Sequence, residues 1–446
     1  MPKKAKPDFV PEAEQPYKIP HNWRWVQWGE IGTFTAGNAF KNEYQGFLEY
    51  KIPFYKVGSL KYSDAKGYIY DSSNTINEQL RAQLKASLIP SDSLIFAKIG
   101  EAIKLNRRSL NAIPCCIDNN LMAFTSEKCL YLYAYYWSIS IDLYNYAHAT
   151  MVPSIRKSDL QAIPFPLPPL TEQQRIVDRI ESLFTKLDAA REKAREVVDG
   201  FELRKAVILH RAFSGELTRQ WREDNGISFD SWLQLGFDSC VEKMQNGLAK
   251  RKGTTGNPVV VLRLANLSDD GFLTDDLREI VLDEKEQSLY LLNSGDILMI
   301  RVNGSKENVG KQFLITNQNA WAFCDHIIRI KCSHDIQPEY MVFFSKSKTY
   351  KQYMKSHIVS SAGQNTISRR AMADLTVPVP TMKEQGEIVR LLSGIFEKEQ
   401  EIKDKVEQVI DNIDAMKKAL LGRAFRGELG TNDPSEASPD FAVTVR

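Results

Sequence analysis

No stretch of this 446-residue chain approaches the roughly 20 consecutive apolar residues that a membrane span needs. The basic opening Met1-Pro-Lys-Lys-Ala-Lys-Pro7 is not followed by an apolar segment, so a secretory signal is not expected. Cysteine is scarce, with six residues scattered at 115, 116, 129, 240, 324 and 332. There is no Cys-x-x-Cys and no histidine at metal-ligand spacing, a pattern of reduced thiols in a cytoplasmic protein without a metal centre. Charge is nearly balanced at +2, so any polyanion-binding surface has to arise from local clustering. Motifs for chemistry are missing too: no Asn/Asp-Pro-Pro-aromatic methylase motif, no Gly-rich cofactor loop, no Gly-x-x-x-x-Gly-Lys-Ser/Thr. Pro7-Asp8 with Glu49-Tyr50-Lys51 spells the letters of a metal-dependent nuclease, but Asp8 lies in a Pro/Lys/Glu-rich leader that offers no rigid support. A binding protein is the expectation, with no catalytic residues and no cofactor of its own.

What the chain does have is an internal repeat. Residues 170–217 and 382–429 align without a gap at an offset of 212, and 17 of the 48 pairs are identical. Thr171-Glu-Gln-Gln-Arg-Ile-Val177 answers Lys383-Glu-Gln-Gly-Glu-Ile-Val389, and Arg211-Ala-Phe-Ser-Gly-Glu-Leu217 answers Arg423-Ala-Phe-Arg-Gly-Glu-Leu429. Weaker matches reach into the bodies that precede these segments. Trp25-Val-Gln-Trp-Gly29 pairs with Trp232-Leu-Gln-Leu-Gly236 at 207, Tyr55–Leu60 with Leu262–Leu267 at 207, and Ser93–Lys98 with Asp296–Arg301 at 203. The chain therefore reads as two modules of one kind.

The repeated segments have helical periodicity. Ile176, Ile180, Leu183, Leu187, Ala190, Ala194, Val197, Phe201, Arg204 and Ile208 recur at alternating steps of four and three. Ile388, Leu392, Ile395, Glu399, Ile402, Val406, Val409, Ile413, Met416 and Leu420 do the same in the second copy. Each seam has one polar exception. A stripe of this period over roughly 50 Å outreaches a small domain and points to a coiled coil. Because the first helix must deliver the chain to the second module, the two pair most simply antiparallel. A proline stop precedes each helix and a glycine, Gly215 or Gly427, follows it. The body segments alternate strand-like runs with turns, and their Tyr-rich stretches, 130–146 and 338–353, read as helices packed on a sheet. The expected fold class is α+β: two mixed modules in pseudo-two-fold arrangement, separated by the coiled coil. Expected boundaries are a flexible leader 1–18, a first module 19–169, its helix 170–218, a second module 219–381, its helix 382–430 and a disordered tail 431–446.

Two diverged modules, each closed by a Pro-Leu-Pro-Pro-Leu-Thr-Glu-Gln-Gln-like entry to a long helix ending Arg-Ala-Phe-x-Gly-Glu-Leu, resemble the DNA specificity subunit of a type I restriction–modification system. The resemblance spans nearly the whole chain, although Thr381-Met-Lys-Glu-Gln-Gly386 departs from the entry pattern. It implies two target recognition domains that each read one half of a bipartite site on double-stranded DNA, with the helices as a ruler for the unread spacer. It also implies docking of two modification subunits that carry S-adenosylmethionine and methylate adenine. Restriction subunits that use ATP and Mg would join them. A coiled-coil scaffold whose modules bind proteins is the competing reading, as is the specificity component of a related restriction–methylation system. Salt-dependent DNA binding separates the scaffold from both.

Reading bases needs Arg or Lys for guanine and phosphate, and Asn or Gln for adenine, on firmly held loops. In module one the candidates are Lys98, Lys104, Asn106, Arg107 and Arg108 on one loop, and Arg156 and Lys157 on another. In module two, Arg301, Asn303, Lys306 and Lys311 follow the equivalent strand, while Gln364, Asn365, Arg369 and Arg370 cluster before the proline stop. Lys250, Arg251 and Lys252 form a basic, Gly-rich loop better suited to phosphate. Solvated loop tips or helix caps are the plainer alternatives for all of them.

Overall fold

A computed structural model describes residues 10–148, 151–269, 271–316, 319–361 and 363–439. The expected Pro7-Asp8 pair lies outside them. The chain divides into unit 1, Met1–Lys193 with Val409–Arg446, and unit 2, Ala194–Gln408. The division falls within the two long helices, Leu170–Phe213 and Met382–Ala424. Each unit is thus a mixed module plus the first half of its own helix and the second half of the other.

In unit 1 a five-stranded sheet runs in the order Gly32–Ala36, Leu121–Ser126, Leu94–Ala97, Arg108–Asn111, Tyr68–Ile69. Leu94–Ala97 is buried throughout because it feeds two cores on opposite faces. Leu94 and Phe96 enter one cluster, around Trp28, Phe34, Phe124 and Trp137, while Ile95 and Ala97 enter another with Tyr55 and Ile117. Side chains alternate across a strand, so a run without polar breaks is what a doubly covered strand requires. Unit 2 repeats the plan. Val241–Asn246, Ile327–Cys332, Ile297–Ile300 and Gln312–Leu314 form a sheet in that order, with Ile297 and Met299 facing one core and Leu298 the other.

The Tyr-rich stretches are helices packed on these sheets, Tyr131–Ser140 and Pro338–Ser345. Tyr133 and Tyr340 are fully buried, and each phenol donates to a proline-stop carbonyl, Pro166 at 2.8 Å and Pro378 at 2.5 Å. The proline stops themselves are short strands paired with Arg24–Gln27 and Leu233–Gly236. Their registers correct one sequence match: Gln27 stands opposite Pro164 and Gly236 opposite Thr376. Since residues 164 and 376 are equivalent, the offset at this point is 209, and Trp23 rather than Trp25 is the counterpart of Trp232.

That correction matters because both tryptophans complete the same device. Glu384, fully buried at the start of the second helix, accepts from Thr218 Oγ1 at 2.6 Å, Arg222 Nη1 at 2.5 Å and Trp232 Nε1 at 3.0 Å. Thr218 and Arg222 follow the end of the first helix. In unit 1, Glu172 is likewise fully buried and accepts from Thr431 Oγ1 at 2.7 Å and Arg175 Nε at 3.1 Å. Thr431 follows the end of the second helix, and Trp23 donates to Asn432 beside it at 3.1 Å. Burial raises the Glu172 pKa despite these donors. The adjoining Gln173 and Gln385 accept from the backbone of the module helices' leading residues, Leu130 at 2.8 Å and Gln337 at 2.9 Å. The Glu-Gln of each helix entry is therefore a polar lock between helix and module, made affordable in the interior by complete hydrogen bonding.

Residues 431–439, expected to be disordered, are instead held against unit 1. Arg175 binds Glu436 in a two-bond fork at 2.9 and 2.7 Å, and Asn22 donates to the Asp433 carbonyl at 3.0 Å. The expected leader also has structure within its described part, where Tyr17 packs edge-on against Trp25.

Within each unit the two long helices run antiparallel: as numbers rise on one, they fall on the other. In unit 1, Ile176 and Ile180 share a core with Leu421 and Phe425, Asp188 binds Lys417 at 2.6 Å, and Arg191 binds Asp414. In unit 2, Leu209 and Ala212 pack with Ile388 and Leu392. The two polar exceptions of the seams meet there, Arg204 and Glu399 at 3.3 Å. Ile176, Ile180, Phe201, Ile388, Leu392 and Ile413 are buried, and Leu183, Leu187, Ile208, Ile395, Val406 and Leu420 are half-buried. Val197, Ile402, Val409 and Met416 are not seam residues; they are 40–53% exposed. An α-helix drifts by about 20° per heptad against a strict 3.5-residue repeat, and Ile410, Lys417 and Leu421 are more covered than the expected positions beside them. Gly215 and Gly427, at φ 81° and 74°, end both helices as expected. Among the described residues no helix is long and apolar enough to cross a membrane.

Candidate nucleic-acid interface

The loops singled out in each module come together. In module two, Val302–Asn303 pairs with Gln364–Thr366, which pairs in turn with Val359–Ser361. Two stretches far apart in sequence thereby form one small sheet, with Asn303 opposite Asn365. In module one, Ile99 bridges to Ser154, the Gly100 N–H donates to the Pro153 carbonyl at 2.8 Å, and that of Ile155 to Lys98 at 2.9 Å. Residues 149 and 150 of that second loop lie outside the described residues.

Several proposed base readers are structural. Asn365 is 7% exposed, and its amide is used up by Ser360 Oγ at 2.7 Å and by the Asn303 and Gly304 carbonyls at 3.3 and 2.8 Å. It clips the small sheet together and has no free edge for a base. Asn303 spends its own side-chain oxygen on the Ser305 N–H at 2.9 Å. Arg108 is also 7% exposed, its guanidinium 5.5 Å from the Phe96 ring and bonded to Asn106 Oδ1 at 2.7 Å. Burial pulls its pKa down to about 9, against the pull of Asp142. Asn106 turns the chain at φ 49° and ties it to Ile141 at 3.0 Å. These polar side chains hold the loops in shape; the sequence shows their chemistry but not which way they face.

Other cations are already neutralised. Lys104 pairs with Glu101 at 2.7 Å, Lys250 with Glu286 at 2.7 Å, Arg251 with Asp325 at 3.0 Å and Lys311 with Asp269 at 2.8 Å. Arg369 is exposed and donates to the Met244 carbonyl at 2.9 Å. Arg107, Arg156, Lys157, Lys252, Lys306, Gln364 and Arg370 are exposed, and Lys98 and Arg301 half-buried. At the tip of the module-one loop, Met151 is completely exposed and Val152 56% exposed. A search for polar readers passes over Met151, although apolar side chains read the thymine methyl group. Cys324, Asp325 and His326 bring their ligand atoms within 4.8 Å of one another, but Arg251 occupies Asp325, and burial pushes the Cys324 thiol up.

Comparison with known proteins places this architecture. The model of the type I restriction modification DNA specificity domain matches residues 20–197 and 266–411, more than half of the chain. The chain is 26% identical over 438 residues to the type I restriction enzyme StySPI specificity subunit of Salmonella potsdam, covering 95% of this chain and 92% of that one. It is 24% identical over 439 residues to the EcoKI specificity subunit of Escherichia coli K12, with the same shares covered. Among solved structures, the HsdS subunit from Thermoanaerobacter tengcongensis has the same fold, with a TM-score of 0.62 at 18% identity over 93% of this chain and 99% of that one. A chain described under complex assembly and conformational transition of the type I R-M system superposes at 0.67, also at 18% identity, over 93% and 100%.

Proposed function

The chain belongs to the type I restriction–modification DNA specificity family, and on that premise we propose that it reads a bipartite target, one half-site per module. The observation that carries this is the hydrogen-bonded convergence, in each module, of two separate loops that bear exposed or half-buried polar side chains. In module two these are Gln364, Arg370, Arg369, Lys306 and Arg301. In module one they are Arg107, Arg156, Lys157 and Lys98, with Met151 at the tip. Gln364 suits adenine, while the arginines suit guanine or phosphate.

The chain acts without catalysis of its own, as a platform for two methyltransferase subunits and for restriction subunits. S-adenosylmethionine, ATP and Mg belong to those partners. The exposed Val197, Leu203, Val207 and Ile402 on the long helices of unit 2 are the side chains for that docking, since uncovered apolar side chains favour a protein partner. The helices set the spacer. Adding one heptad to both, at matched positions, keeps the seam in phase and lengthens them by about 10 Å, close to three base pairs. Methylome sequencing of a host carrying the lengthened chain should then show both half-sites unchanged and a longer spacer. An unchanged spacer in an active variant refutes the ruler, and a methylome indifferent to deletion of the chain refutes the function.

A further inference from the structure

The repeat supplies its own control for a site the family comparison does not assign. Where each module helix meets its long helix, two aromatic rings pack, and a lysine from the opposing long helix covers one of them. In unit 1, Tyr136 and Phe184 lie 5.9 Å apart and Lys417 Nζ stands 4.9 Å from the Phe184 ring. In unit 2 the equivalent rings, Phe343 and Phe396, are also 5.9 Å apart, and Lys205 Nζ stands 5.7 Å from Phe396. The apolar frame is the same, but the charges differ. Lys417 is neutralised by Asp188 at 2.6 Å, and Tyr136 donates to Glu181 at 3.4 Å. The residues of unit 2 at those acidic positions, 212 further on, are Gln400 and Ser393. Ile139 of the module-one helix is answered by Lys346, whose Nζ lies 5.6 Å from the Phe343 ring.

Unit 2 therefore carries two lysines where unit 1 carries one lysine and two acids. Lys346 is half-buried, and its pKa is lowered first by burial and then by Lys205; Asp269 opposes this and Lys351 adds to it. Asp269 is also the carboxylate that Lys311 grips, and it feels Lys205 and Lys346 as well. One acid thus serves three lysines, and the patch is continuous with the loop of Arg301 and Lys306. Like charges gathered around one shared counter-ion repel one another, and an anion that joins them relieves the repulsion.

We infer that the junction of the module helix and the long helices in unit 2, through Lys205 and Lys346, binds a DNA backbone phosphate outside the bases read, and that its counterpart in unit 1 does not. This rests on the reading of the chain as a DNA-binding protein. Continuity with the proposed reading loop through Lys311 favours DNA over an acidic protein partner.

The test is the salt dependence of duplex DNA binding by the full-length chain, measured by fluorescence anisotropy across a KCl series. Lys205→Gln with Lys346→Gln should lower the slope of log affinity against log salt by ~0.9, the value for one phosphate contact, and weaken matched and scrambled duplexes alike. Ser393→Glu with Gln400→Asp restores the acids of unit 1 without removing a lysine, and should lower the slope by a similar amount. Lys346→Arg and, in unit 1, Lys417→Gln should leave it unchanged. If the unaltered chain shows no salt-dependent binding, the DNA reading itself fails. If it binds and both double variants keep its slope, this inference alone is overturned. It is equally overturned if those variants lose a methyltransferase subunit while keeping the slope.

Discussion

Replacing Glu384 by Gln keeps the shape of the lock in unit 2 but removes the charge that Arg222 faces. Arg222 is 7% exposed, and its other contacts are neutral: the Thr218 hydroxyl at 3.0 Å and the Gly215 carbonyl at 2.6 Å. Breaking a buried ion pair from one side leaves an uncompensated charge and costs about 3–5 kcal/mol. The same substitution at Glu172 should cost only ~1 kcal/mol, because the Arg175 side chain is 38% exposed and retains Glu436. Hydrogen exchange resolved by segment separates the two units without assuming two-state unfolding. Glu384→Gln should speed exchange in the first turns of the second helix and in residues 215–222 by about 10²–10⁴-fold, at 1.4 kcal/mol per factor of ten. Exchange at the start of the first helix should stay as it was. Adding Arg222→Met removes the stranded charge and should recover much of the loss. Equal losses from Glu384→Gln and Glu172→Gln would refute the reasoning, since burial of the partner arginine is what distinguishes them.

Gln364→Ala should blur one position of the second half-site at a cost of about 1–3 kcal/mol for the proper target. Asn365→Ala should instead destabilise module two by about 1–3 kcal/mol, by removing the three hydrogen bonds that clip Ser360, Asn303 and Gly304 together, and weaken all sequences together; selection over randomised half-sites, with thermal melts beside it, tells the two apart. The docked segment 431–439 should loosen in acid. Arg175 holds the Glu436 carboxyl below its ordinary range, so its contribution is complete above the unfolded pKa of about 4.3 and is lost as pH falls through the depressed folded value. Limited proteolysis at falling pH should then cut the segment, and Glu436→Gln should be cut already at neutral pH. Arg204→Met with Glu399→Leu copies the Leu187 and Met416 of unit 1 into the seam of unit 2. Because the pair is partly exposed, stability by urea denaturation should change by no more than about 1 kcal/mol.

The duplication, the two long helices and the glycine stops were legible because each is a pattern along the chain: identity at a fixed offset, a helical period, a residue suited to positive φ. The strands Leu94–Ala97 and Ile297–Ile300 were legible for the same reason, since covering on both faces leaves no polar residue to interrupt the run. The match of Trp25 to Trp232 failed because the eye pairs identical large residues, whereas strand pairing equates Trp23 with Trp232. The exposed Val197, Ile402, Val409 and Met416 fit a strict heptad on paper, but the turn of a real helix carries them out of the contact.

Sequence by itself determined what repeats in this protein and therefore its family, since helix period and motif are local properties that survive divergence. Which polar side chains are free to meet a ligand was decided only by the tertiary structure. Asn365 and Gln364 are neighbours of similar chemistry, yet one is spent inside a small sheet and the other faces solvent. Arg107 and Arg108 divide in the same way, and Lys205 lacks the Asp on the opposing helix that neutralises Lys417. A hydrogen bond or ion pair to a residue tens or hundreds of positions away leaves no mark in the local sequence. It consumes the donor or the charge on which binding depends.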